Sequence, residues 1–326
     1  MKEAEYYTKK TDGDVLCELC PHNCLISEGQ KGLCHSRINK GGKLYTENYG
    51  QTVTINPYDP IEKKPLFHFL PGSRVLSIGA NLCNLRCNYC QNYAISQEKC
   101  QTQTITPEYL EQIMLTNNLK SIAYTYTEPV IWYEFVKKSA IYLKSKGFKT
   151  ILVSNGFINK APLLALLPHI DAFNIDLKSI RDDFYQRNCG GRVEPVKETI
   201  KTISGKSHIE ITNLLITGEN DSDDDIIELI DFIASVNERM PLHFSRYYPC
   251  YKLNKPATDI ERLNFAYKAA KQKLKHVYLG NVAFANNLIC EHCGNIITER
   301  CYDKSIVLKN GKCPICGKEI YGVWNI

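Results

Sequence analysis

Three cysteines lie close together in the run Cys83-Asn84-Leu85-Arg86-Cys87-Asn88-Tyr89-Cys90. Thiolates this close on one loop can hold three corners of a cubic iron–sulfur cluster. A fully ligated [4Fe–4S] cluster takes four cysteines, so three leave one iron open to another ligand. The competing reading is a zinc knuckle that borrows a distant fourth ligand, but zinc sites favour paired C-x2–4-C hooks. Such hooks stand near the end of the chain. Cys290 and Cys293 form one, Cys313 and Cys316 the other, and glycine follows each. This is a zinc-ribbon pattern, with an iron–sulfur cluster as the alternative. Near the start, Cys17, Cys20, Cys24 and Cys34 make a complete four-thiol set. Its spacing leaves structural zinc and an auxiliary [4Fe–4S] cluster on equal terms. His22 and His35 neighbour this set, which needs neither. Cys189 and Cys250 fall in loops after apolar runs, where each is a hydrogen-atom donor, a substrate contact or an inert small residue. Cys100 and Cys301 carry no functional argument.

These side chains need a frame. Short β-like runs occur at 75–80, 121–124, 150–153, 172–176, 209–215, 242–246 and 277–279. Helix-forming stretches lie between them at 107–118, 131–145, 160–167, 195–204, 223–238 and 260–274. Strand followed by helix, repeated, predicts an α/β fold with a parallel sheet covered by helices. We expect a partial or near-complete TIM-like (β/α) barrel. Polar residues lie within, end or follow the apolar runs: Asn81, Glu128, Ser154, Asn155, Asp176, Lys178, Asn213, His243, Arg246 and Asn281. A polar group at every strand end implies one shared mouth at the C-terminal face. No Gly-x-Gly-x-x-Gly follows a strand and no Walker-type loop is present, so nucleotide-binding readings lack support. The expected organisation is an N-terminal four-cysteine metal module at 1–60, the barrel at 61–285, and a zinc-ribbon-like module at 286–326.

Composition sets the outer limits. The chain has 326 residues, 44% hydrophobic and 23% charged, which excludes a disordered tail or a fibre. A net charge of +5 is weak support for a nucleic-acid partner. The first residues lack the apolar run of a signal peptide, and no apolar segment approaches a membrane span. We therefore expect a cytoplasmic protein, whose thiols bind metals rather than form disulfides. The 15 cysteines exclude a plain hydrolase.

The pattern C-x3-C-x-φ-C, with Tyr89 as the aromatic residue, resembles the radical S-adenosylmethionine (SAM) superfamily over about residues 60–285. Within it the chain is similar to relatives of the pyruvate formate-lyase activating enzyme. It looks most like the AmmeMemoRadiSam system radical SAM enzymes. The match is carried by Cys17-Glu18-Leu19-Cys20-Pro21, Lys64-Pro65-Leu66, Cys90-Gln91-Asn92, residues 125–129 and Gly280-Asn281-Val282. The resemblance implies a [4Fe–4S] cluster on Cys83, Cys87 and Cys90, with SAM on the open iron. Glu128 then receives the SAM amino group, although Tyr126-Thr127 stands where the family has Gly-Gly. Asp176, Lys178, Ser154 and Asn155 match further SAM contacts, Asn213 and His243 lie on SAM-contacting strands, and Tyr89 lies near the adenine. The implied chemistry is reductive SAM cleavage to a 5′-deoxyadenosyl radical that takes a hydrogen atom from a substrate. A ferredoxin or flavodoxin would supply the electron. A protein substrate is favoured over a small molecule or RNA, and Memo-type and AMMECR-type proteins are implied partners. The reading from another class is a non-catalytic adaptor built on zinc sites.

Overall fold

A computed structural model describes residues 1–298 and 308–325; Cys301 lies outside them. Seven parallel strands run in chain order across one sheet: Arg74–Gly79, Ser121–Tyr124, Lys149–Ser154, Ala172–Asp176, His208–Leu215, Leu242–Arg246 and Val277–Gly280. Every residue of Ser121–Tyr124 is buried, as expected of a strand covered on both faces. The sheet is open, so the barrel is partial. Its far edge is a strand that we did not expect from the sequence. Thr54–Pro60 pairs antiparallel with Arg74–Gly79, so the end of the anticipated N-terminal module belongs to the main sheet.

Helices cover the sheet between strands. Pro107–Thr116 starts where the Thr106 side chain accepts the Tyr109 N–H, with proline at the first helical position. Asp223–Asn237 is capped by Ser222, and Asp223, Asp224 and Asp225 crowd its positive end. Its apolar residues Ile226, Leu229, Ile230 and Ile233 recur at helical spacing and are all buried. Fully burying side chains of this kind contributes roughly 1.5–3 kcal/mol each.

The N-terminal residues form two small antiparallel sheets. One joins Lys2–Glu3, Lys43–Thr46 and Arg37–Lys40; the other joins Tyr7–Lys9, Val15–Cys17 and Leu25–Ile26. Their buried residues Ala4, Val15, Leu19, Ile26 and Leu44 belong to the same core as the barrel. The C-terminal residues differ. Leu288, Cys290, Leu308, Cys313, Ile320 and Trp324 form a core of their own. That unit docks on the base of the barrel, where the Leu70 N–H meets Val323 O at 2.7 Å and the Val323 N–H meets His68 O at 2.7 Å. Among the described residues, no helix is long and apolar enough to cross a membrane.

Candidate functional site

Cys83, Cys87 and Cys90 lie on the loop that follows Arg74–Gly79, at the C-terminal face of the sheet. Backbone bonds from the far side of the barrel pin this loop. The Arg86 N–H donates to Cys189 O at 2.8 Å, and the Asn88 N–H to Asn188 O at 2.9 Å. The two chains approach so closely that a Cβ on Gly191 would lie 2.7 Å from Leu85. The Asn84 side chain donates to Phe157 O at 2.9 Å and accepts from the Asn155 amide, also at 2.9 Å. Cys83 sulfur faces the Leu85 N–H at 3.3 Å and the Asn155 amide at 3.7 Å. Thus Asn155, expected as a SAM contact, also holds the cysteine loop.

The trio forms one wall of a cleft of about 580 Å3, within the range of small-molecule sites. Tyr89, Glu128, Ser154, Asn155, Asp176 and Lys178 line the same cleft, with Thr212, Ser245 and Asn281. Glu128 Oε1 accepts from Val130 N at 2.9 Å and Ser154 Oγ at 2.8 Å; Oε2 accepts from Asn155 N at 2.8 Å. Burial outweighs these bonds and pushes the carboxyl up to about 7. Lys178 Nζ pairs with Asp176 Oδ2 at 3.2 Å. Burial opposes the ammonium, but Asp176, Cys87, Cys189 and Tyr185 hold its pKa well above the usual lysine value. A hydrogen bond from Cys189 lowers Cys87 to about 7 against burial, whereas burial raises Cys83 and Cys90. The three sulfurs, the N–H groups that face Cys83 and the open volume beside them fit a cluster with one free corner.

Two expected SAM contacts stand elsewhere. Asn213 is buried and donates to Leu177 O at 2.7 Å, so it props the Asp176–Lys178 strand end from behind. His243 is the second residue of Leu242–Arg246 and sits near the N-terminal end of its strand, away from the mouth. Its Nε2 lies 2.7 Å from Glu210, which also takes His208, Phe67 N and His68 N. Cys189 is fully buried behind the loop, 3.2 Å from the Tyr89 hydroxyl. Cys250 contacts Cys90 O at 3.6 Å.

A group at the mouth carried no role in the sequence reading. Tyr126 takes φ +68°, the left-handed region where the family pattern has glycine. Its hydroxyl is bonded to Asp59, which pairs with Lys64 at 2.7 Å, and Lys64 lies 4.3 Å above the Tyr126 ring. The Asn92 amide donates to Tyr126 O at 2.6 Å. The Lys64-Pro65-Leu66, Cys90-Gln91-Asn92 and 125–129 motifs each touch this group, but Asp59 had no signal.

The C-terminal thiols Cys290, Cys293, Cys313 and Cys316 have their sulfurs within 4.8 Å of one another. Two contacts measure 3.7 and 3.9 Å. Four sulfurs placed tetrahedrally at the Zn–S distance lie about 3.8 Å apart.

With this geometry in place, comparison with known proteins gives the class. The chain belongs to the radical SAM superfamily, whose family description matches residues 77–233. That makes it an enzyme of SAM and [4Fe–4S] chemistry rather than a zinc-site adaptor. It is 40% identical to an uncharacterized protein of Methanocaldococcus jannaschii over 98% of this chain and 99% of that one. It is 23% identical to pyruvate formate-lyase 1-activating enzyme of Escherichia coli, covering 53% of this chain and 75% of the other. A radical SAM methyltransferase from Sphaerobacter thermophilus shares the fold at TM-score 0.52 and 14% identity, covering 65% of this chain and 67% of that one. Streptococcus suis SuiB bound to its precursor peptide SuiA does so at TM-score 0.51 and 18% identity, covering 68% and 51%.

Proposed function

We propose that this enzyme modifies a protein by hydrogen-atom abstraction, in the manner of an activating enzyme, with Cys83, Cys87 and Cys90 as the cluster ligands. When bound, the cluster and SAM supply a 5′-deoxyadenosyl radical by one-electron cleavage of the sulfonium. The chain's own residues bind and orient. Glu128 presents a carboxylate edge to the SAM amino group, and its three donors fix that edge. Asp176 and Lys178 form an ion pair on the same wall, where each charge can meet a polar group of SAM. Tyr89 lends a buried aromatic face to the adenine. The Asp59–Lys64–Tyr126 group closes one side of the mouth and limits water beside the reacting carbon. Hydrogen abstraction depends on placement rather than proton transfer, so rigid walls matter most.

The observation that carries this reading is one cleft bounded by the three cysteines, Glu128 with its donors, and the Asp176–Lys178 pair. A protein substrate is supported by the activating-enzyme relatives. The same proposal takes in a ferredoxin or flavodoxin as electron donor, Memo-type and AMMECR-type partners, a cytoplasmic setting and zinc on the C-terminal thiols. It divides the chain into an N-terminal module, a barrel that takes in Thr54–Pro60, and a C-terminal module at 286–326. We expect anaerobic reduction with SAM to release 5′-deoxyadenosine, and Cys87→Ala to abolish that release. Undiminished release from the variant would overturn the site assignment.

A further inference from the structure

The N-terminal cysteines are arranged unlike the C-terminal ones. Cys17, Cys20, Cys24 and Cys34 line one small cavity of about 20 Å3, closed by Leu19, Ile26, Val130 and Ile131. Among the described residues, only the C-terminal group of cysteine, histidine and carboxylate ligands is gathered within 4.8 Å. There the sulfurs touch and leave room for a single ion. In the N-terminal set the four thiols ring an enclosed space but are not gathered that closely, a spread wider than one tetrahedral ion draws together.

A second observation points into the same cavity. Arg37 is 1% exposed and forms part of its wall, with Nη1 3.8 Å from Cys17 sulfur. Its other bonds go to Glu5 O and Glu134, and its Nε has no partner. Glu134 Oε2 is also without a partner, so the group of Arg37 that faces the thiols is Nη1. The bridging sulfides of an iron–sulfur cluster would give Nη1 a further acceptor, whereas a four-thiolate zinc site adds none. The Ser36 hydroxyl, 3.2 Å from Cys34 sulfur, adds a further polar group at the rim.

We propose that Cys17, Cys20, Cys24 and Cys34 hold a second [4Fe–4S] cluster in this cavity, with Arg37 directed at it. Protein thiolates hold all four of its irons, so it has no corner for SAM and serves only to gain and lose an electron. It lies next to the catalytic loop. Cys34 and Cys83 line one further cavity, with Leu33, His35, Leu82 and Arg86. His22 Nε2 meets Asn84 O at 2.7 Å, and Arg86 reaches Leu33 O at 3.4 Å. An electron from a low-potential one-electron protein donor can therefore enter at this cluster and leave to the catalytic one.

Iron, sulfide and zinc counts on anaerobically reconstituted full-length protein test this. In the Cys83→Ala/Cys87→Ala/Cys90→Ala variant, about four irons and four sulfides should remain per chain. The reduced EPR signal of this variant should not change when SAM is added. In Cys17→Ser/Cys34→Ser, about four irons should also remain, and there SAM should alter the signal. Iron loss from the triple-alanine variant, with a second zinc in its place, would overturn the proposal. So would a SAM-sensitive signal in that variant. A separate failure of the catalytic assignment would appear as unchanged iron content on removing the central trio.

Discussion

Glu128 is 1% exposed and carries three hydrogen bonds, yet burial still raises its pKa from the ordinary carboxylate value to about 7. A carboxyl raised on folding contributes stability that is fully present below its unfolded pKa and is lost as pH rises through the folded one. The window runs from about 4.5 to about 7. Across it, SAM-free wild type should lose up to roughly 3 kcal/mol, from a shift of that size at about 1.4 kcal/mol per unit. Glu128→Gln should flatten this slope, which denaturant melts at pH 5 and pH 7.5 will read. Equal pH slopes for the two proteins would defeat the argument. Tyr126 shows why one residue departs from the family pattern without losing the geometry. A left-handed non-glycine costs about 1 kcal/mol or more. Asp59 and Lys64 hold its ring and hydroxyl, so the turn keeps the shape that glycine would give.

At the scale of elements, alternation of apolar runs with amphipathic stretches made the seven parallel strands legible. The cysteine spacing made the loop legible, and Glu128, Ser154, Asn155, Asp176 and Lys178 reach one cleft because they end or follow those strands. His243 was misplaced for a physical reason. The resemblance placed it on a SAM-contacting strand without fixing its position along that strand, and His243 is the second residue, at the end away from the mouth and beside Glu210. Thr54–Pro60 was missed because two prolines and a bulge hide its period. The tie between strand end and cysteine loop was equally invisible, since Asn84 and Asn155 are 71 residues apart. It makes a testable point. Asn84→Ala removes two buried bonds worth about 2 kcal/mol together and leaves Phe157 O without its partner. We expect severalfold faster iron loss from the catalytic cluster under chelator challenge, in a background lacking Cys17 and Cys34. Wild-type loss kinetics would refute a positioning role for Asn84.

Across the whole molecule, the two ends of the barrel do different work. The mouth gathers the cysteine loop and the polar cleft. The base is plugged by a buried network in which Glu210 takes four donors and is held well below the usual carboxylate range. Burial opposes that charge, but His208 and His243 outweigh it. The C-terminal unit covers this base. Arg239 forks onto Glu291 at 2.8 and 2.6 Å, His68 meets Tyr321 O at 2.6 Å, and Val323 pairs with residues 68–70. Because the unit has its own small core around the four thiols, metal loss should release it without opening the mouth. Cys313→Ser should therefore lose one zinc per chain and lower Tm by several degrees, as a deficit of about 2 kcal/mol would in a domain of this size. Amide exchange should accelerate at Leu70, whose N–H is bonded to Val323, while the Asn155 N–H bonded to Glu128 keeps its protection. Unchanged exchange at Leu70 after zinc loss would mean that the ribbon does not hold the base. Loss of protection at Asn155 would mean that the barrel's two ends are one cooperative unit.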